Sequence, residues 1–263
     1  MSKNPIITLT SDLGLSDFYV AAVKGAILKI LPTAQIIDIC HDVPKFNTLH
    51  AAYNIRNAFK QFPDGTVHII SVNSIEDEQT AHVALRKYNQ FFIGADTGIF
   101  SLVFDEPADE IIQLSANEKK TSIFPLLESF IEPACNLATG KKLSSLGRKI
   151  DGFRKMLMPA PTINAHLIVG SIIYQDSFGN LITNIRRKHF EEIGKGLPFT
   201  IDLRSSRNSL HTIHKSYKDV GEGDPVAIFN YSGYLEIALN QASAVRLLGL
   251  KINDSIRIEF HAD

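Results

Sequence analysis

The segment from Thr8 to Gly25, TLTSDLGLSDFYVAAVKG, constrains the fold more than any other part of the chain. An apolar run from Ile6 to Leu9 reads as a strand. It stops at Thr10-Ser11-Asp12, and Gly14 and Ser16-Asp17 follow. From Phe18 onward Val20, Val23, Ala26, Ile27 and Ile30 recur at helical spacing, and Ser16 or Asp17 is the expected N-cap. Two carboxylates, Asp12 and Asp17, therefore fall in a strand-to-helix turn. In an open α/β sheet that turn lies at the carboxyl edge of the strands, where ligands bind. A carboxylate just past a strand end can accept two hydrogen bonds, as from a ribose diol, and one near a helix N-terminus can hold an ammonium group. Asp is also a common capping and turn residue, so the segment alone is equally compatible with a structural use.

The alternation continues. Pro32 ends the first helix, Ala34 to Cys40 reads as a second strand, and His41-Asp42-Val43-Pro44 as a loop. A helical pattern over His50 to Phe62 leads through Pro63-Asp64-Gly65 into a third strand, Val67 to Val72. The polar loop NSIEDEQT, Asn73 to Thr80, precedes strand-like runs around Val83 to Leu85 and Phe91 to Ile93, then Ala95-Asp96-Thr97-Gly98. Ile131 to Thr139 is helical, with Gly140 as C-cap. This order predicts an α/β domain with a doubly wound, mostly parallel sheet. Beyond the break at Pro159-Ala160-Pro161 come HLIVGSIIYQ, LITNI, FTIDL, VAIFN, YLEIAL and SIRIEF, with helical stretches only near Lys188 to Ile193 and Ser243 to Leu248. Short runs separated by turn residues predict a small antiparallel β barrel or sandwich. The expected organisation is an α/β domain over 1–158 and a β-barrel domain over 159–263.

Charge narrows the classes of partner. The formal net charge is −1, and Arg186-Arg187-Lys188 is a short basic run suited to a solvated helix start, so neither nucleic acid nor an anionic membrane is expected as partner. No apolar segment approaches the ~20 residues of a membrane span, and the apolar run near the N-terminus breaks at Asp12, unlike a signal peptide. Cys40 and Cys135 sit in apolar contexts without a CxxC or Cys/His cluster; both are expected to be buried free thiols, in a cytoplasmic protein without a metal site.

Three clusters in the β-rich half carry candidate chemistry. Asp176-Ser177-Phe178-Gly179-Asn180, followed by Asn184, puts a carboxylate and two amides around a glycine turn. Amides suit the donor–acceptor edge of a purine and Asp an ammonium group, but the same string reads as a hairpin turn. At Tyr217-Lys218-Asp219 an aromatic face is available for stacking on a base, or for ordinary packing. In Asn230-Tyr231-Ser232-Gly233-Tyr234-Leu235-Glu236-Ile237-Ala238, Ser232-Gly233 offers backbone N–H groups to a carboxylate, or forms a second hairpin.

TLTSDLGLSDFYVAAVKG, the HDVP segment, DSFGNLITNI and NYSGYLEIALN, in this order and spacing, resemble the S-adenosylmethionine hydroxide adenosyltransferases, also called S-adenosylmethionine hydrolases, relatives of the fluorinase and chlorinase. The resemblance runs from about Ile6 to about Phe260. It implies an N-terminal α/β domain, a C-terminal β barrel, and a homotrimer with nucleoside sites at subunit interfaces. It implies attack on the 5′ carbon of S-adenosylmethionine, with methionine leaving and no cofactor. By position, Asp12 matches the acid that holds the ribose hydroxyls. Asp17 and Asp176 match acids near the methionine amino group, and Asn180 the asparagine that reads adenine. Tyr217 lies at or beside an adenine-stacking aromatic, and Tyr231-Ser232 matches the loop facing the methionine carboxylate.

The departures concern the nucleophile. Family hydrolases carry a DPGVGTxR-like loop after the third strand and an FHGRD segment later. Here the Asp becomes Asn73, the Arg becomes Thr80 and the His becomes Leu126, so the whole set that activates water is replaced. Halogenases keep a small polar anion-binding residue where Leu127 stands here. Methionine leaves neutral at sulfur, so the displacement needs in-line geometry and a freed nucleophile rather than an acid. An activated water needs a base or cation cluster, for which Glu76, Asp77, Glu78, His82 and Glu128 are candidates, or else residues of a solvated loop. Two readings stand: a hydrolase with a non-standard nucleophile site, and a catalytically silent S-adenosylmethionine- or adenosine-binding protein.

Overall fold

The computed structural model describes residues 4–75, 80–115, 123–203 and 205–261, with side chains from 205 to 208 excepted. The chain divides into two compact units, Met1–Leu157 and Met158–Asp263.

The first unit is a sheet with helices on both faces. Its elements are β1 (Ile6–Ser11), α1 (Tyr19–Ile30), β2 (Gln35–Cys40), α2 (Thr48–Ala58), β3 (Val67–Ser71), β4 (His82–Lys87), β5 (Gln90–Ala95), α3 (Ile99–Val103), β6 (Glu110–Leu114), α4 (Ile131–Ala138) and β7 (Gly147–Lys149). The strand order is β2-β1-β3-β5-β4-β6-β7. The expected mostly parallel sheet is only half so: β1–β2, β1–β3 and β3–β5 are parallel, whereas β4–β5, β4–β6 and β6–β7 are antiparallel. The cause is a two-residue hairpin. Tyr88 and Asn89 both take positive φ, 53° and 59°, between the paired Lys87 and Gln90, which is the turn whose twist matches an antiparallel pair.

Strand periodicity sorts the side chains. Ile7, Leu9, Ile69 and Ile93 pack with Val23 and Ile27 of α1 and Ile131, Ala134 and Cys135 of α4. The alternate residues His68 and Phe92 stack at 4.6 Å and meet Phe59, which follows α2, on the opposite face. His68 is fully buried, with Nδ1 2.7 Å from Thr8 Oγ1 and Nε2 2.8 Å from Gln90 Oε1. Gln90 Nε2 donates to the Phe62 carbonyl at 2.7 Å, which fixes its amide orientation. Nε2 of His68 therefore carries the proton and Thr8 donates to Nδ1. A π-helical turn, Leu126–Phe130, leads into α4, and Pro133 removes a backbone donor from the first turn beyond it. Of the two free cysteines Cys135 is buried, but Cys40 is only half-buried, because β2 is the end strand of the sheet.

The second unit comprises β8 (Thr162–Asn164), β9 (Leu167–Gln175), β10 (Leu181–Arg186), α5 (Arg187–Gly194), β11 (Phe199–Leu203), β12 (Ser205–Leu210), β13 (Ile213–His214), β14 (Pro225–Phe229), β15 (Tyr234–Leu239), α6 (Ala244–Leu248) and β16 (Ser255–Phe260). The order is β12-β11-β16-β9-β10-β15-β14-β13, with β8 on β9. The pairings are antiparallel except β13–β14, which is parallel. The inward residues Ile168, Ile172, Leu181, Ile185, Leu235, Ile237, Ile256 and Ile258 form one core. Asn184 serves the scaffold rather than a ligand: its Oδ1 accepts Ser171 N–H at 2.9 Å and its Nδ2 donates to the Pro159 carbonyl at 2.9 Å.

Candidate functional site

In the first unit the turn after β1 is held by the loop after β2. Asp12 is half-buried; its Oδ2 accepts Phe46 N–H at 2.9 Å and its carbonyl accepts Lys45 Nζ. Phe46 is 68% exposed and held at φ 64°, so that backbone donor comes with a conformation bulky residues resist. A carboxylate offers about four acceptor sites, so one N–H contact orients Asp12 and leaves capacity for two hydroxyls. Asp17 is exposed. Neither it nor Ser16 caps α1: the helix begins at Tyr19, one residue later than a cap at Asp17 requires, so the N-cap is Phe18, which has no side-chain hydrogen bond to give. Behind Asp12, Ser11 Oγ lies 2.7 Å from His41 Nδ1, and His41 Nε2 stands 3.1 Å from Asp38 Oδ1. That oxygen lies off the N–H direction, so the second contact is electrostatic rather than a formed hydrogen bond. Burial opposes ionisation of Asp38, but Lys24 and His41 outweigh it and hold the carboxyl below its ordinary range.

The replaced set is only partly in view. Asn73 is exposed at φ 50°, a left-handed conformation that Asn tolerates. Thr80 is buried. Leu126 is buried within the apolar core between sheet and helices, away from any proton donor or acceptor role. His82 is buried, its Nε2 2.9 Å from the Ser74 carbonyl and its ring edge-on to Phe130 at 4.7 Å. Glu128 is exposed. Glu76, Asp77 and Glu78 lie outside the described residues. Asp96 is half-buried; burial raises its pKa, while backbone donation from Arg154, at 2.9 and 2.8 Å, pulls it down.

In the second unit Asp176 and Asn180 meet, but through each other. Asp176 Oδ1 accepts the N–H groups of Phe178 and Asn180 at 3.0 and 2.8 Å, and its Oδ2 accepts Asn180 Nδ2 at 3.0 Å. Gly179, at φ 86°, seats this turn on Ser243, and a Cβ there would fall 2.2 Å from Ser243 Oγ. Tyr231 is 87% exposed. The backbone donors expected of Ser232-Gly233 are consumed inside their own turn: Ser232 N–H reaches Asn230 Oδ1 at 3.0 Å and Gly233 N–H the Asn230 carbonyl at 2.9 Å. Asn230 closes that hairpin, so the turn has no N–H pair left there for a carboxylate.

One buried acid, present in the third cluster, carried no role in the sequence pattern. Glu236, 4% exposed, accepts Tyr217 Oη–H at 2.7 Å and Asn230 Nδ2 at 3.2 Å. Burial pushes its carboxyl up, hydrogen bonds from Tyr217 and Asn230 oppose this, and the Asp176 charge adds to the rise. An acid inside the apolar run YLEIAL was the available signal.

An open, mixed α/β sheet in the first unit and a β-rich, largely antiparallel second unit define a two-domain α/β protein. More specifically, the chain belongs to the SAM hydroxide adenosyltransferase family: residues 7–147 match its N-terminal domain and residues 170–257 its C-terminal domain. It is 29% identical to the (R)-S-adenosyl-L-methionine hydrolase of Methanocaldococcus jannaschii, covering 96% of this chain and 95% of that one. It is 27% identical to the fluorinase of Actinopolyspora mzabensis, covering 97% of both chains. The crystal structure of an uncharacterized conserved protein from Thermotoga maritima matches with a TM-score of 0.85 at 29% identity, covering 96% of this chain and 99% of that one. Among the described residues no helix is long and apolar enough to cross a membrane.

Proposed function

We propose that this chain is an S-adenosylmethionine hydrolase-like enzyme with a non-standard nucleophile-activating site. Water attacks the 5′ carbon, the carbon–sulfur bond breaks with its electron pair going to sulfur, and the water proton passes to solvent or a nearby base. Adenosine and L-methionine result. The observation that carries this reading is the match to both family domains across nearly the whole chain. Relatives named (R)-S-adenosyl-L-methionine hydrolase support it, as does the oriented carboxylate of Asp12. In this reading Asp12 takes the ribose hydroxyls, Asp17 and Asp176 face the amino group, Asn180 and Tyr217 meet adenine, and Tyr231-Ser232 faces the amino-acid end. Asn73 and Thr80 stand on the nucleophile side, and Glu76, the third candidate there, lies outside the described residues. The substrate needs no cofactor.

A second reading, a catalytically silent S-adenosylmethionine- or adenosine-binding protein, is favoured by Leu126, which sits in the apolar core where the family set requires a histidine. Incubation with S-adenosylmethionine followed by chromatography separates the two. Adenosine and methionine in equal amounts support the enzyme. Binding without turnover selects the silent protein, and neither binding nor turnover refutes both.

The assembly proposed with this function is a cytoplasmic homotrimer with shared sites and with neither nucleic acid nor membrane as partner. Its support is the division of candidate ligand groups between the two units. The second unit is proposed to close as a barrel, supported by the approach of β12, at one end of the strand order, to β14 near the other. A light-scattering mass of one chain at micromolar concentration, with ligand binding intact, overturns the trimer.

A further inference from the structure

We propose that His41 is a positioning residue for Asp12, acting through Ser11 and through the loop that grips the Asp12 turn. The inference rests on the nucleoside reading above. His41 is 4% exposed and Ser11 is fully buried. Ser11 Oγ lies 2.7 Å from His41 Nδ1 and 3.4 Å from Leu13 N, so one hydroxyl links the residues on either side of Asp12. The His41 carbonyl accepts Gly14 N–H at 2.8 Å. The loop that begins at His41 then delivers Lys45 Nζ to the Asp12 carbonyl and Phe46 N–H to Asp12 Oδ2. His41 thus touches the turn with both ring and backbone, and its own loop carries the donors that orient the carboxylate.

The far side of the ring fixes its tautomer. Nε2 faces Asp38 Oδ1 at 3.1 Å, and Lys24 Nζ donates to Asp38 Oδ2 at 2.6 Å. With a carboxylate beside Nε2 the proton resides there, Nδ1 is the acceptor, and Ser11 Oγ–H donates to it. The serine lone pairs are then turned toward Leu13 N–H. Ser11 resembles a nucleophile only in its partners, since it has no exposed surface from which to attack. Two ribose hydroxyls must meet one carboxylate plane, so a tilt of Asp12 weakens both contacts together.

Calorimetry of the full-length protein with adenosine and with dideoxyadenosine, which lacks both secondary ribose hydroxyls, tests this. His41→Ala is expected to weaken adenosine about tenfold, the size of one hydrogen bond to a charged group, and to leave dideoxyadenosine within about twofold. In an Asp12→Ala background His41→Ala adds no further loss. His41→Asn, whose Oδ1 can stand near the Nδ1 position, recovers most of the affinity. Equal losses for both nucleosides, or losses that add to Asp12→Ala, overturn the inference, because a merely structural histidine acts that way. Should His41→Ala fail to fold, Ser11→Ala must show the same ligand-dependent loss, and wild-type binding of both nucleosides by that variant also overturns it. Adenosine affinity indifferent to Asp12→Ala refutes the nucleoside reading at Asp12 and this inference with it. Dependence on Asp12 without ligand selectivity in His41→Ala refutes the inference alone.

Discussion

The buried His68 makes the first unit lose stability as pH falls through a window set by that one side chain. Desolvation holds its pKa at about 4, against 6.5 for a free histidine, and the Gln90 hydrogen bond only partly offsets this. The folded pKa lies below the unfolded one, so between pH 6.5 and about 4 the unfolded chain binds a proton that the folded chain refuses. Stability contributed by neutral His68 is fully present above pH 6.5 and drains away as pH falls toward the folded pKa. The difference of about 2.5 units corresponds to about 3.4 kcal/mol over the whole window, at about 1.36 kcal/mol per unit. The assay is urea unfolding across that range for wild type and His68→Phe. The variant is expected to be less stable near neutrality, since Thr8 and Gln90 lose a partner, yet flatter with pH. Carboxylates titrate in both proteins and cancel in the difference. Wild-type and variant curves that fall in parallel, or a wild type that gains stability on acidification through the window, refute the reasoning.

Three other outcomes follow from the same geometry. Asp12→Ala should weaken adenosine binding by about 1.5–3 kcal/mol, the range for hydrogen bonds to a charged group, and an unchanged affinity by calorimetry refutes its ribose role. Asn73→Asp, Thr80→Arg and Leu126→His together should raise S-adenosylmethionine turnover while each alone does little, because such groups act as a unit; equal turnover in wild type and in relatives with the complete set refutes the weakened-site reading. Gly179→Ala should lower stability by about 1–3 kcal/mol through its positive φ and the clash with Ser243, read as a fall in the thermal midpoint, and an unshifted midpoint contradicts the seating of that turn.

The start of the first unit was legible because each element carries its own period. Ile6 to Leu9 and the spacing of Val20, Val23 and Ile27 need no partner to be recognised. The antiparallel half was not. Its hairpin turns on Tyr88-Asn89 rather than the Asn-Gly that signals such a turn, β7 is the polar triplet Gly147–Lys149 defined only by its pairing with β6, and α3 spans five residues, too few to show a helical stripe. At the site, Asp12 could be placed from its strand end. The use of Asn184 could not, because it is decided by the backbone groups of Ser171 and Pro159, which arrive from elsewhere in the unit; Ser232 and Gly233 left a hairpin and a carboxylate cradle equally open until Asn230 was seen to take both N–H groups. The Ser11–His41 contact depends on β1 and β2 lying side by side, which a one-dimensional pattern does not encode.

β2 ends the sheet of the first unit. A terminal strand is a template on which another extended chain can add itself, and proteins deter this by placing charge along the rim. On β2 that charge is Asp38, next to the exposed Ile37 and under the ammonium of Lys24. The residue that steadies His41 is therefore also the one that guards the strand against a visiting neighbour. Neutralising it exposes the rim and loosens the Asp12 turn in the same step, so a selection for solubility and a selection for nucleoside binding would both retain the acid, each for its own reason.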